Sequence, residues 1–218
     1  MRYLEKSEKP TVLIDNKKAW TDEYLLFLEN NPTGEFKKYK YNHKDLKTAL
    51  AKETHGKCAY CESYLLATDY GDIEHILPKN RNARPDLCYD WDNLTLACAK
   101  CNRSGKKDYY DIDLPLLNPY IDDIETHLIS IGPYIRGKSE RGTITEEVII
   151  LNRPGLISSR NDIINSIENL YKSWFEENNT IRKSLKETEL HKEYEINKKY
   201  SFTIWSYLKA RGFPVNAI

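Results

Sequence analysis

The pattern of hydrophobic and polar positions predicts helices at both ends of the chain. Near the N-terminus, Trp20, Tyr24 and Leu28 recur at the four-residue spacing of an amphipathic helix. The clearest pattern runs from Ser159 to Phe175, where apolar residues fall at three- and four-residue steps. A less regular helical pattern covers Thr180 to Arg211. The outer parts of the chain are therefore predicted to be mostly α-helical.

The middle of the chain shows shorter patterns. A helix from Asn42 to Thr54, with Asn42 as its N-cap, leads to the short strand candidates Tyr64–Leu66 and Ile73–Leu77. Asn93–Ala97 is a further strand candidate, and Ala99–Lys107 is predicted to form a short helix. The sequence thus predicts an α+β protein, with a small strand, loop, strand and helix unit embedded in a mostly helical chain.

The region after this unit is rich in glycine and proline. It predicts loops, a hairpin and one helix near 143–151, where Thr143 and Glu146 match a capping box. We therefore expect an N-terminal helical segment at residues 1–57, a central unit at 58–128 and a C-terminal helical region at 129–218.

Charge and composition narrow the functional classes. The chain has 33 basic and 33 acidic residues, so any affinity for nucleic acid must come from a local patch. Basic residues slightly outnumber acidic ones between Phe36 and Tyr110. No apolar run approaches the length of about 20 residues needed for a membrane span, and the N-terminus lacks a signal-peptide pattern. We expect a cytoplasmic protein without membrane contact.

Four of the five cysteines form two Cys-x-x-Cys pairs. Cys58 with Cys61 and Cys98 with Cys101 have the spacing of a four-thiolate zinc site, which is closed and structural. Separately buried cysteines or a redox pair are the alternatives. Cys88 stands outside the pattern and is expected to be a small buried hydrophobic residue.

A carboxylate, a histidine and two asparagines lie between or beside the cysteine pairs. Phosphodiester hydrolysis needs a base for water and a hard cation for the developing charge. His75, with an unperturbed pKa near neutrality, is the candidate base, and Glu74 with Asn102 are candidate ligands of Mg²⁺ or Mn²⁺. Asn93 is expected to brace the loop that orients His75. Taken singly, each of these residues also has an ordinary structural role open to it.

This combination resembles the HNH, or His-Me finger, endonucleases, which share a ββα-metal core. His75, Asn93 and Asn102 match the three signature positions, the third being asparagine where many members have histidine. Glu74 stands where the common form has aspartate. The resemblance implies a metal-dependent endonuclease, with Asp72 as an additional or substitute metal ligand.

A more specific resemblance is to the nuclease subunits of Septu-type bacterial anti-phage defence systems, which are also found beside retrons. It implies an ATPase partner of the PtuA type, and for retron-associated members an assembly with reverse transcriptase and msDNA. The aromatic C-terminal helices would be docking surfaces or simply internal core. The matching segments are Met1–Tyr3, Cys58–Glu62, Glu74–Lys79, Leu117–Asp123, His127–Leu128 and Leu151–Arg153.

Several basic residues flank the proposed site and are either phosphate contacts or solvated surface. DNA is the expected target. RNA is an alternative substrate, and a non-catalytic, zinc-stabilised adaptor for nucleic acid or a partner is an alternative function. The candidate nucleic-acid contacts are Lys79, Arg81, Arg103, Lys106 and Lys107, with Arg84 and Lys100 nearby.

Overall fold

The computed structural model describes residues 1–65 and 71–216. Within these residues the chain forms helices on both sides of two small hairpins, and a seven-residue π-helix follows the first hairpin. In chain order, the elements are α1 (Thr11–Asn30), α2 (Lys44–Glu53), β1 (Asp72–His75), β2 (Leu94–Ala97), the π-helix (Lys100–Lys106), α3 (Ile124–His127), β3 (Leu128–Ile131), β4 (Tyr134–Gly137), α4 (Glu140–Val148), α5 (Pro154–Phe175), α6 (Thr180–Glu193) and α7 (Ser201–Ala210).

Strands β1 and β2 pair antiparallel, with Asp72 opposite Ala97 and His75 opposite Leu94. Because side chains alternate along a strand, Asp72 and Glu74 lie on one face of this hairpin and His75 on the other. The π-helix begins three residues after β2 and completes the predicted ββα unit. The α+β class is confirmed.

The ββα unit is packed between two hydrophobic clusters. One joins α1 and α2 to the hairpin and contains Leu13, Leu46, Leu50, Trp91 and Leu94. The other contains three of the paired cysteines together with apolar side chains from the second hairpin, α5 and α7. A third cluster holds the C-terminal helices together. The hairpin that bears the candidate residues is therefore supported on both sides.

Helix starts differ from the predictions where side chains make caps that the pattern did not identify. The cap of α2 is His43, whose Nδ1 accepts from the Asp45 backbone N–H, so the N-cap assigned to Asn42 is wrong. Helix α4 begins at Glu140 with Ser139 as its cap, upstream of the predicted Thr143. Glu146 instead binds the Gly137 backbone N–H on β4.

The predicted helix from Thr180 to Arg211 is two helices. Tyr200 has a left-handed φ of 54°, and the chain turns before α7 begins. The Lys57 ammonium donates to the carbonyls of Ile196 and Lys198, which holds this turn against the cysteine region. The break is thus caused by a contact with a distant part of the chain.

The other strand candidate is only partly described. Tyr64 forms an isolated bridge with Lys57, while Leu66 lies outside the described residues. Among the described residues, no helix combines the length and apolar character needed to cross a membrane.

Candidate zinc centre and nuclease site

The four paired cysteines converge on one point. The Sγ atoms of Cys58, Cys61, Cys98 and Cys101 all lie within 4.8 Å of one another, and those of Cys61 and Cys98 are 3.9 Å apart. Tetrahedral Zn²⁺ with bonds near 2.3 Å places its sulfur ligands about 3.8 Å apart, so this donor set fits zinc. Four thiolates leave no position for a substrate, and the site is therefore structural in type.

Backbone contacts fix the sulfur atoms relative to the ββα unit. The Ala59 N–H donates to the Leu96 carbonyl on β2 at 2.9 Å, which attaches the first cysteine turn to the hairpin. Cys98 follows β2 directly, and the Asn102 N–H donates to its carbonyl at 3.0 Å. A metal bound here would link the loop before β1 to the π-helix after β2.

Glu62, next to the first cysteine pair, is a buried anchor that the sequence did not single out as a site residue. Its carboxylate accepts from the Met1 ammonium at 3.1 Å and from the Ser201 hydroxyl at 2.9 Å. Burial alone would raise the pKa of Glu62, but the charges of Met1, Lys57 and Arg2 bring it down to about 2. This cluster ties α7 to the cysteine region.

Glu74, the predicted metal ligand, has a buried cation beside it. The Lys106 ammonium lies 2.8 Å from Glu74 Oε1 and donates to the His75 carbonyl at 2.9 Å. Glu74 and Lys106 are only 4% and 2% exposed. Burial raises the pKa of Glu74, and Lys106 opposes that change. Lys106 is thus enclosed within the protein in this structure, whereas the predicted contact with nucleic acid needs an exposed ammonium.

Asn102 lies against Asp72 in this structure. Its Nδ2 donates to Asp72 Oδ2 at 3.2 Å, which leaves Oδ1 directed elsewhere. Arg103, a predicted phosphate contact, also binds Asp72, with Nε 2.8 Å from Oδ2. Asp72 and Glu74 share one face of β1, so the oxygen donors expected to hold Mg²⁺ or Mn²⁺ lie along a single face. The donor types fit such a cation, although Glu74 is already paired with Lys106.

His75 lies on the opposite face, against the loop between the strands. Its Nε2 is 2.9 Å from the Cys88 carbonyl oxygen, and its ring meets the Tyr41 ring edge-on at 4.7 Å. A carbonyl oxygen only accepts hydrogen bonds, so Nε2 carries the proton and Nδ1 keeps its lone pair. Burial, followed by the charge of Lys79, lowers the pKa of His75 to about 3. The imidazole is therefore neutral near pH 7.

Asn93 holds both ends of the loop that contains Cys88. Its Oδ1 accepts from the Leu77 N–H at 2.8 Å, and its Nδ2 donates to the Leu77 and Leu87 carbonyls at 2.9 and 3.2 Å. Leu87 directly precedes Cys88, whose carbonyl binds His75. The side chain of Asn93 therefore fixes the loop that orients the imidazole.

The remaining basic candidates occupy different surroundings. The Lys79 ammonium lies 5.0 Å from the Tyr39 ring and 5.2 Å from the Tyr41 ring, close to His75. Arg81 donates to the Leu28 and Asn31 carbonyls at the end of α1. Lys107 has an exposed side chain. The structure thus places Lys79 beside the imidazole and leaves Arg81 in a helix-capping position.

Arg84 pairs with Asp86, whereas Lys100 is exposed on the π-helix. In the sequence Arg153 stands out only as part of a matching segment, yet its guanidinium contacts three of the cysteine sulfurs. Spacing could not have revealed this contact, because Arg153 is 52 residues from Cys101 along the chain.

The neutral, buried state of His75 predicts that the parent loses more stability in mild acid than a variant without this histidine. Between the usual histidine pKa of 6.5 and about 3, the unfolded chain binds more protons at His75 than the folded protein does. The free energy of unfolding should therefore fall with decreasing pH, by up to about 1.4 kcal/mol per pH unit. A His75→Gln variant lacks this contribution. Urea unfolding at about pH 7, 6 and 5 measures it, and equal pH dependence in both proteins would contradict a neutral His75.

Comparison with known proteins assigns the ββα unit to a class. Residues 58–108, which contain both cysteine pairs, His75, Asn93 and Asn102, match the HNH endonuclease family. The chain therefore carries an HNH endonuclease domain, as the sequence motifs predicted.

The more specific resemblance is also confirmed. The chain is similar to the Septu protein PtuB of Bacillus thuringiensis, with 33% identity over 155 residues that cover 70% of this chain and 55% of that protein. PtuB of Bacillus mycoides (strain KBAB4) is 33% identical over 159 residues, covering 59% of this chain and 54% of that protein. The chain spans about half the length of these relatives.

A shorter match is to the retron Vc95 putative HNH endonuclease of Vibrio cholerae serotype O1 biovar El Tor. It is 43% identical over 47 residues, which cover 21% of this chain and 22% of that protein.

Proposed function

We propose that this protein is a metal-dependent endonuclease that hydrolyses phosphodiester bonds, with DNA as its target, and acts in the cytoplasm. The observation that carries the proposal is the state of His75 within an HNH domain. The imidazole is neutral, its Nε2–H is held by the Cys88 carbonyl, and its Nδ1 therefore carries the lone pair of a base.

In the proposed reaction, His75 removes a proton from the attacking water, and Asn93 keeps the loop in place so that the imidazole holds its orientation. Glu74 and Asn102, with Asp72 as the additional ligand, would hold Mg²⁺ or Mn²⁺. The cation supplies charge stabilisation at the phosphate when it is bound. Lys79, next to the imidazole, would contact the phosphate, and the exposed Arg103 and Lys107 would contact the backbone farther away.

The pKa of His75 in the free protein is low for a general base, since proton transfer is most effective when the pKa lies near the working pH. Burial and the Lys79 charge are the main causes. A bound phosphodiester adds negative charge beside Lys79 and so raises the pKa of His75. Substrate binding should therefore bring the pKa of His75 closer to the working pH and make His75 a more effective general base.

The buried Lys106–Glu74 pair gives a testable consequence. Lys106→Met leaves the Glu74 carboxylate buried without its partner, and we expect a loss of about 3–5 kcal/mol in the free energy of unfolding. Mg²⁺ should restore part of this loss, because the cation would take the place of the ammonium beside Glu74. Chemical denaturation with and without Mg²⁺ measures both effects.

Lys107→Met is the matched control, since Lys107 is the exposed neighbour of Lys106. It should change the stability by at most about 0.5 kcal/mol. If the Lys106 and Lys107 variants are equally stable, the buried Lys106–Glu74 pair does not stabilise the folded protein. If Mg²⁺ gives the Lys106 variant no extra stability, Glu74 is not a ligand of the cation.

We further propose that the protein works with an ATPase subunit of the PtuA type. The support is its similarity to Septu PtuB proteins. The match to a retron-associated nuclease extends the proposal to an assembly with reverse transcriptase and msDNA, on the support of a shorter segment.

A non-catalytic adaptor is the second candidate function, and one observation favours it. His75 is only 5% exposed, and Glu74 is already neutralised by Lys106, so the site is closed in this structure. Supercoiled plasmid and labelled RNA, incubated with the protein alone and with its ATPase in Mg²⁺ or chelator, separate the candidates. Magnesium-dependent plasmid cleavage supports the DNA nuclease. Cleavage of RNA alone identifies RNA as the substrate, and binding without cleavage supports the adaptor.

A further inference from the structure

We infer that Arg153 belongs to the zinc centre, where its guanidinium hydrogen-bonds the cysteine thiolates and protects them from chemical attack. Its Nη1 lies 3.4 Å from the Sγ of Cys101, and its Nη2 lies 3.6 Å from the Sγ atoms of Cys61 and Cys98. One side chain thus contacts three of the four predicted ligands.

The charge of the predicted centre explains why such a residue is needed. Four thiolates around Zn²⁺ carry a net charge of about −2, and three of the four cysteines that would hold it are almost entirely buried, with Cys98 partly buried. An uncompensated charge away from water is costly. The guanidinium supplies an opposite charge, and its planar arrangement of N–H groups allows it to serve several sulfur atoms at once.

The position of Arg153 is fixed by its neighbours in the Leu151–Arg153 segment. Leu151 is fully buried in the cluster around the cysteines. Asn152 pairs with both backbone groups of Ile135 on β4, at 2.9 Å through Oδ1 and 2.7 Å through Nδ2. Arg153 also donates to the Ile150 carbonyl at 3.2 Å, at the N-terminal end of α5. The segment therefore connects the second hairpin and α5 to the sulfur atoms.

Hydrogen bonds to a thiolate withdraw electron density from sulfur. The bonded sulfur donates less strongly to the metal and reacts more slowly with alkylating agents. If Arg153 has this role, its removal should change the electronic properties of the metal centre as well as its stability. A residue that only packs at the start of α5 would leave those electronic properties unchanged.

The test compares the parent with Arg153→Gln, Arg153→Lys and Arg136→Gln. Arg136 is an exposed arginine on β4 that pairs with Glu146, so it serves as a control for loss of a surface charge. Each protein is loaded with Co²⁺ to record the sulfur-to-metal charge-transfer band. The zinc-loaded proteins are then treated with an alkylating agent, and zinc release to a coloured chelator is followed.

For Arg153→Gln we expect a charge-transfer band at longer wavelength and zinc retention about 10-fold weaker, the lower end of the range for loss of a ligand's hydrogen-bond partner. Arg153→Lys should lie between this variant and the parent, since one ammonium cannot serve three sulfur atoms. Arg136→Gln should match the parent in both measurements.

An unchanged band and unchanged zinc release in Arg153→Gln would overturn the inference, even if that variant were less stable. If Arg153→Gln does not fold, Arg153→Lys decides the matter. A shift of its band relative to the parent supports the role of Arg153, and a parental band with parental zinc release overturns it.

Discussion

Replacing Cys101 with serine should unfold the HNH domain. The Cys101 side chain is fully buried and lies with three other sulfur atoms at the junction of the first cysteine turn, β2 and the π-helix. Structural zinc contributes apparent binding energies of about 10–16 kcal/mol, comparable to or larger than the whole stability of a typical domain. Loss of one ligand should therefore remove both the metal and the fold that depends on it.

Circular dichroism, thermal unfolding and zinc content of the purified protein measure this effect. Cys88→Ala is the matched control, because Cys88 is equally buried but lies outside the group of four sulfur atoms. The control should keep about one zinc per chain and lose only the modest stability expected for a small buried cavity. A Cys101→Ser variant with parental zinc content and a parental melting temperature would refute the structural zinc site.

His75→Gln should reduce the rate of phosphodiester cleavage by about 10²–10⁴-fold, the usual contribution of a positioned general base. Glutamine can still donate an N–H toward the Cys88 carbonyl, but it offers no basic nitrogen in place of Nδ1. The protein should remain folded, because His75 is not among the predicted zinc ligands. Cleavage under single-turnover conditions, with zinc content and thermal unfolding measured in parallel, separates a chemical defect from a structural one.

The local features of the site could be predicted from the sequence because they depend on short-range patterns. The cysteine spacing indicated a four-thiolate centre, and the positions of Glu74 and His75 on a short strand placed their side chains on opposite faces. The structure has both features, with β1 ending at His75 and the four sulfur atoms grouped together.

The partners of the charged residues could not be predicted, since they come from segments far apart in the chain. Lys106 reaches Glu74 across 32 positions of sequence, and Arg153 reaches the sulfur atoms from the start of α5. The burial of Lys106 could not be expected either, because the sequence indicates only that it lies in a short basic helix. Sequence spacing carries no information about such contacts.

The pKa of His75 illustrates the same limit. Its value near neutrality was expected from the free amino acid, whereas burial and the Lys79 charge lower it to about 3 in the folded protein. The break before α7 has a similar origin, because Lys57 holds the intervening turn through contacts more than 100 residues away.

The most direct test of the proposed nuclease is the cleavage of supercoiled plasmid by the parent and His75→Gln proteins, each folded, zinc-loaded and combined with the proposed PtuA-type ATPase. We predict magnesium-dependent nicking or linearisation by the parent that stops with chelator, and at least about 10²-fold slower cleavage by the variant. Equal cleavage by the two proteins would contradict the role of His75.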